Sequence, residues 1–233
     1  MTPSSPARIR HRQPVAEWTL CGGAHVVCTG WPHGDTAGDG ERVEARRRSA
    51  VDLPWTVLVQ VHGARVVTVE HPGDCCGEAA DAAVSSARGA ALAVLSADCA
   101  PVALSSPEGV IGVAHAGWRG LRAGVIESTV QSMRRLGATR VEAVLGPCIH
   151  PCCYSFGAAD LAEVESRLGS PLGATDRHGE LSLDLPAGVA VALRAVGASL
   201  IDMSRECTAH GDQLWSWRST QTKRRQATVI WRP

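Results

Sequence analysis

From Trp55 onward the chain is a succession of short apolar runs, each stopped by Gly, Pro or Asp, and that pattern limits the fold more than any other feature. The runs WTVLVQV, RVVTVE, ALAVLS, PVALSS and GVIGVAHA are short and mostly rich in β-branched residues, so they predict strands with buried faces. Beyond them the period changes. Leu121, Val125, Val130, Met133 and Leu136 fall near helical spacing, and Gly137 closes the run as a C-cap. A strand RVEAVLG, helices over residues 158–168 and 187–196, and a closing pair of strands at LWSWR and QATVIW complete the pattern. Strands in runs followed by helices predict an α+β domain with mixed sheets rather than a doubly wound parallel sheet.

The first 50 residues carry little periodicity, and the Gly-, Asp- and Pro-rich stretch 29–40 predicts an irregular segment there. A short helix over 41–51, holding Arg46, Arg47 and Arg48, is the exception. With no internal repeat and 233 residues, the expectation is one domain spanning residues 1–233.

Charge is balanced, 23 basic against 23 acidic residues, so nothing in the overall electrostatics recruits nucleic acid or an anionic membrane. The N-terminal MTPSSPARIRHRQPVAEW has positive charges without a following apolar stretch, unlike a secretory signal. The most apolar stretches, 89–104 and 188–201, are interrupted by Asp98 and Arg194 and fall short of a membrane span. The expected location is the cytoplasm. Nine cysteines, an odd count, then read as core thiols, metal ligands or nucleophiles rather than a disulfide framework.

Three of the potential ligands share one context: His62, Cys99 and His115 each stand where an apolar run gives way to Gly or Pro. Their separations are too long for a zinc finger, whose ligands come in close pairs, but suit a site assembled from several strands. One thiolate and two imidazoles suit zinc and leave a fourth position open. Two core histidines and a buried thiol remain the alternative. Asp98 either orients a ligand or moves a proton beside Cys99, or caps the turn into Pro101.

In HAGWRG, Gly117 and Gly120 let the backbone approach a ligand where a strand passes into a helix, and Arg119 falls in that helix's first turn, an arrangement that takes phosphate or carboxylate. A plain strand-to-helix turn with a solvated arginine is the other reading. The run LGPCIHPCCYSFG crowds Cys148, His150, Cys152 and Cys153, two of them adjacent, so a structural turn with Tyr154 and Phe156 packed inward is expected rather than a separate metal site. Trp215 and Trp217 read as core packing or as a stacking surface for a flat ring.

Together these segments resemble the laccase-domain, or YfiH-type, proteins, once called multicopper polyphenol oxidases and regarded as zinc-dependent purine nucleoside phosphorylases. The matching pieces are QVHGARV, ADAAV at Asp81, SADCAPVAL, VAHAGWRG, LGPCI with CCY, the pair Cys207 and Thr208, and SWR with QATVIW, in order over about 170 of the 233 residues. The resemblance implies that His62, Cys99 and His115 hold Zn2+, with copper as the alternative ion. It further implies phosphorolysis of adenosine, inosine and S-methyl-5'-thioadenosine, with adenosine deamination as a second activity. The implied fold is mixed sheets sandwiched between helices, similar to the catalytic core of cytotoxic necrotizing factor toxins.

On that reading the substrates are purine nucleosides and phosphate; Cys99, His62, His115 and Asp98 are catalytic, and Arg119, Arg46 and Gly117 line the phosphate and substrate site. The chain departs from the family pattern at Gly30, where an arginine belongs, and at Ala45, His150, the stretch Trp217-Arg218-Ser219, and Lys223. Two other readings stay open: a cysteine hydrolase with Cys99 as nucleophile and His115 as base, and a non-catalytic zinc protein in cell-wall precursor editing.

Overall fold

The computed structural model describes residues 13–233, in which thirteen strands and six α-helices follow one another in the order β1 (Ala16–Leu20), β2 (Ala24–Cys28), α1 (Glu41–Ala50), β3 (Trp55–Val57), β4 (Val66–Thr68), β5 (Ala82–Ser85), β6 (Ala91–Ser96) and β7 (Ala100–Ser105). Next come β8 (Ile111–Ala116), α2 (Trp118–Ala123), α3 (Val125–Arg135), β9 (Glu142–Leu145), α4 (Ala158–Leu168), β10 (Gly173–Thr175) and β11 (Leu181–Leu183). The chain finishes with α5 (Leu185–Ala195), β12 (Ser199–Met203), α6 (Trp217–Thr220) and β13 (Gln226–Trp231).

Two mixed sheets result, one in the order β1-β2-β13-β6-β3 and the other β12-β9-β7-β8-β5-β4, with β10 and β11 forming a separate hairpin. Between the sheets Val26, Leu92, Val94 and Ile230 meet Ala103, Ile111, Val113 and Val144. Leu92, Ile111 and Ile230 are fully buried, each worth about 1.5–3 kcal/mol relative to exposure. The far face of the second sheet packs against α2–α5 through Leu121, Ile126, Val130, Leu161, Val189 and Leu193. On the far face of the first, Ala50 at the end of α1, Val51 and Trp55 cover Ala93 and Val229. The α+β class and the helix–sheet–sheet–helix layering match the expectation.

Several local expectations need correction. Residues 16–28 are an antiparallel hairpin, not an irregular segment, because Ala24, Val26 and Cys28 alternate with more exposed neighbours and Gly22 (φ 64) and Gly23 (φ 73) make the reversal. The helix expected over 41–51 forms with Glu41 and Glu44 in its first turn and Arg47 and Arg48 in its last, which complements the helix dipole. The stretch 29–40 holds no strand or α-helix, only the 3-10 turn Trp31–His33, as expected, and residues 1–12 lie outside the described residues. The helix expected over 121–136 is two helices, broken at left-handed Gly124 (φ 86). LWSWR is not a strand: the Ser216 hydroxyl accepts from Ser219 N and starts the helical turn α6. Trp215 is consequently buried and Trp217 exposed.

The run WTVLVQV leaves its sheet after Val57 for a specific reason. The Gln60 side-chain amide donates to Leu95 O (2.7 Å) and accepts from Leu95 N (2.8 Å), standing in for a backbone pair. The chain so released turns at His62, whose backbone is left-handed (φ 60), and carries that imidazole over the ends of β7 and β8.

Candidate metal centre

His62, Cys99 and His115 are brought together as the sequence suggests, with one ligand atom of each within 4.8 Å of the others. Cys99 immediately precedes β7 and His115 lies near the end of β8, its antiparallel neighbour, so the two side chains meet at one end of the second sheet. Cys99 Sγ lies 3.8 Å from His62 Nε2, and the two imidazole rings are 4.9 Å apart at 72°.

Asp81, to which sequence reasoning assigns no role, organises this set. Its fully buried carboxylate accepts His115 Nδ1 (2.9 Å) and the backbone N–H groups of Val61 (3.1 Å), His62 (2.9 Å) and Gly63 (2.7 Å). With Nδ1 donating to Asp81, Nε2 of His115 is the nitrogen left to face a metal, an arrangement common behind ligand histidines. The signal for Asp81 in the sequence is an acidic residue immediately before the apolar run Ala82-Ala83-Val84 of β5, a place where a charge persists only if fully paired.

The electrostatics favour a thiolate. Burial alone would raise the Cys99 thiol, but the positive charge of His115 and hydrogen bonds from both histidines outweigh it and bring the thiol down from 9.0 to about 6. His115 moves oppositely: burial disfavours the imidazolium, yet Cys99 and Asp81 push it up from 6.5 to about 9.

Gly117 acts on the ligands themselves. A Cβ there would lie 2.8 Å from Cys99 Sγ and 3.3 Å from His62 Cδ2, so only glycine lets the strand-to-helix turn pass so close. The helix it opens, α2, is only six residues long, which weakens the helix-dipole part of the anion-site expectation. Arg119 stacks its guanidinium 4.4 Å from the centre of the Trp118 ring. Trp118 meets Phe156 edge-on at 5.5 Å, Phe156 meets Tyr154 at 5.3 Å, and the Arg218 guanidinium lies 5.0 Å from the centre of the Tyr154 ring. Tyr154, pushed up chiefly by burial, also feels the charges of Cys99, Asp98, Arg218 and Arg119. A row of three aromatic rings with a guanidinium at each end therefore stands beside the three ligands.

Asp98, beside Cys99, holds an unusual backbone (φ 113), and both of its carboxylate oxygens are engaged, one by the Thr208 hydroxyl (2.6 Å) and one by Arg218 N (2.7 Å). Burial raises its pKa above the ordinary aspartate value in spite of these bonds. Arg46 is held elsewhere: it donates to Asp35 O (3.0 Å) and lines a cleft of about 900 Å³ with Trp31, Trp215, Thr220 and Arg224. That cleft and the ligand set are joined through α6, whose Trp217 N donates to Ala97 O. The departure at Gly30 is explained by packing, since a Cβ there would strike Gln213 O at 2.4 Å and leave no room for an arginine.

The model of one protein family, described as multi-copper polyphenol oxidoreductase laccase, matches residues 27–233. A purine nucleoside phosphorylase of Corynebacterium glutamicum is 36% identical, the match covering 86% of each chain. Another, of Streptomyces coelicolor, is 40% identical over 74% of this chain and 72% of its own length. Among solved structures, a Neisseria meningitidis protein superposes with a TM-score of 0.79 at 25% identity, covering 93% of this chain and 97% of that one. The Bacillus licheniformis protein YfiH gives 0.78 at 23% identity, covering 90% and 93%, and so shares the fold.

Proposed function

The chain belongs to the multi-copper polyphenol oxidoreductase laccase family, and we propose that within it the protein is a zinc-dependent purine nucleoside phosphorylase acting on adenosine, inosine and S-methyl-5'-thioadenosine, with adenosine deamination as a second activity. The observation that carries this reading is the three-ligand set on Asp81 beside the aromatic and guanidinium wall. The names borne by its relatives point the same way.

The donor chemistry fits zinc: a thiol already biased to its anion, two imidazoles, one of them oriented by a carboxylate, and three ligands rather than four. Copper is the alternative ion. Bound zinc would supply Lewis acidity and, for deamination, an activated water. His62, Cys99 and His115 would hold it, and Gly117 keeps the space beside them clear.

In phosphorolysis a phosphate oxygen bonds to the ribose C1' while the bond to the purine nitrogen breaks, the base leaving with the electron pair. The chain must therefore bind an anion next to a flat ring. Arg119 supplies a guanidinium for phosphate, with Arg46 as a second candidate from the neighbouring cleft, and the Trp118, Phe156 and Tyr154 rings supply an apolar wall against which a purine packs. Asp98, whose carboxyl burial pushes above the ordinary aspartate range, is the group beside Cys99 that takes and returns the proton deamination moves, while the Thr208 hydroxyl and Arg218 N fix its position. The nine free thiols accord with a reducing, cytoplasmic setting. No helix among the described residues is long and apolar enough to cross a membrane.

The test is to incubate metal-quantified protein with a nucleoside panel, with and without phosphate. Phosphate-dependent release of base that is lost in Cys99→Ala is the expected result; release that is absent, or unchanged in that variant, overturns the proposal. The placement of a ligand atom of Cys99 within 4.8 Å of one of His115 favours one other reading, a cysteine hydrolase. Alkylation of Cys99 that stoichiometric zinc does not slow would favour it instead.

A further inference from the structure

A second group of ligands stands apart from the first and shares no residue with it. Cys152, Cys153, Cys207 and His210 each offer one metal-ligating atom, and the four atoms lie within 4.8 Å of one another. Sequence spacing points to a different set, in which Cys148 and His150 join Cys152 and Cys153, and that set looks too crowded for one ion. The fold resolves the crowding: Cys148 is buried on a backbone bridge to Cys207, and two of the four ligands come from a segment more than fifty residues further along the chain.

Local structure explains how the four meet. The 3-10 turn Pro151–Cys153 places the adjacent Cys152 and Cys153 sulfurs 3.6 Å apart. The bridge to Cys148 brings Cys207 alongside, where its sulfur accepts from His150 N at 3.4 Å. A turn then begins in which His210 N and Gly211 N both donate to Cys207 O, and His210 Nε2 arrives 3.5 Å from Cys152 Sγ.

These separations can be set against what a metal requires. Tetrahedral zinc, with bonds of about 2.3 Å to sulfur and about 2.0 Å to nitrogen, places its ligands about 3.8 Å apart for two sulfurs and about 3.5 Å for sulfur and nitrogen. The distances of 3.6 Å and 3.5 Å fall at those values, whereas a disulfide needs about 2.0 Å between sulfurs. We propose that Cys152, Cys153, Cys207 and His210 bind one divalent cation of the zinc type in a closed, four-ligand structural site.

What such an ion would hold is visible in the chain. Residues 204–216 contain no helix or strand, yet they supply Thr208 to Asp98 and lead directly into Arg218, whose N–H also bonds Asp98. A cation at this place ties that segment to the turn preceding Tyr154. Without one, the cluster has only weak thiol contacts to offer. A divalent ion replaces those contacts by four coordinate bonds and releases the thiol protons.

The experiment uses the full chain, reduced, stripped of metal and titrated with cobalt(II), with bound metal counted by mass spectrometry and thiolate-to-cobalt charge transfer read by absorption. Wild type is expected to bind two equivalents and Cys99→Ala one, the latter with an absorption intensity corresponding to about three thiolates. His210→Ala, an exposed change that leaves the fold intact, and Cys152→Ser are expected to keep the single-thiolate equivalent while the other is lost to a weak chelator. One equivalent in wild type with the absorption of a single thiolate, or His210→Ala and Cys152→Ser both binding as wild type does, overturns the proposal. So does a mass lower by two hydrogens in the reduced protein, which would mark a disulfide among these cysteines.

Discussion

Asp81 Oδ1 lies 2.9 Å from His115 Nδ1, and every other hydrogen bond to that carboxylate also comes from an N–H group. An asparagine would have to turn its own NH2 toward donors in either orientation. Asp81→Asn is therefore expected to lower zinc affinity about 10- to 100-fold, the usual cost of losing a ligand's supporting partner. Chelator competition measures it. An unchanged dissociation constant would remove Asp81 from the centre.

Gly117→Ala tests the same site from the other side. The glycine has an ordinary extended backbone (φ −71), so alanine introduces no backbone strain and acts only through the 2.8 Å approach of its methyl group to Cys99 Sγ. Metal affinity is expected to fall at least about tenfold, while the melting temperature of the metal-free protein moves by less than that of a core truncation. A variant that binds zinc normally would show that the turn gives way.

Two neighbouring glycines separate strain from collision. Gly22 and Gly23 are both left-handed, but a Cβ on Gly22 meets Ser106 O at 2.3 Å whereas one on Gly23 meets nothing within 4 Å. Gly23→Ala is expected to cost about 1 kcal/mol from the backbone alone, and Gly22→Ala more than that. Denaturant unfolding of the pair decides, and equal costs would contradict the packing of the hairpin onto the turn that follows β7.

Glu108 sets a pH-dependent contribution. Hydrogen bonds, first of all from the Thr139 hydroxyl, bring its carboxyl down from 4.5 to about 2. A depressed folded-state pKa stabilises above the unfolded value and loses that effect as the pH falls from about 4.5 towards 2. The difference in melting temperature between wild type and Glu108→Gln should therefore be present at neutral pH and close across that window. A difference that stays constant down to pH about 2 would place the effect elsewhere.

The centre of the second sheet was legible in the sequence, because β7 and β8 are buried on both faces and read as unbroken apolar runs bounded by turn residues, whereas the exposed edge strand β12 carries no such run. The same boundaries marked His62, Cys99 and His115 as a candidate set, which the fold brings together. The hairpin at residues 16–28 did not, since its apolar residues alternate over only five positions between glycine-rich stretches. Nor did the break at Gly124, where the apolar spacing continues across a residue whose left-handed backbone interrupts the helix. LWSWR misled because alternating tryptophans imitate a strand, while a serine cap and a packed Trp215 decide otherwise. Asp81 and His210 were invisible as partners because their neighbours in space are far away in sequence, and only the register of the sheets and the bridge at Cys207 bring them in.

Strand β13 sits in the middle of the first sheet, pairing with β2 on one side and β6 on the other. On a ribosome the N-terminal hairpin thus emerges some two hundred residues before the strand that joins it to the rest of its sheet. Until then β2 and β6 each present an unpaired edge, open to strands of other nascent chains. Yield in the cell should consequently depend on how fast the last segment is translated and on chaperones that shield those edges, more than on the stability of the finished molecule.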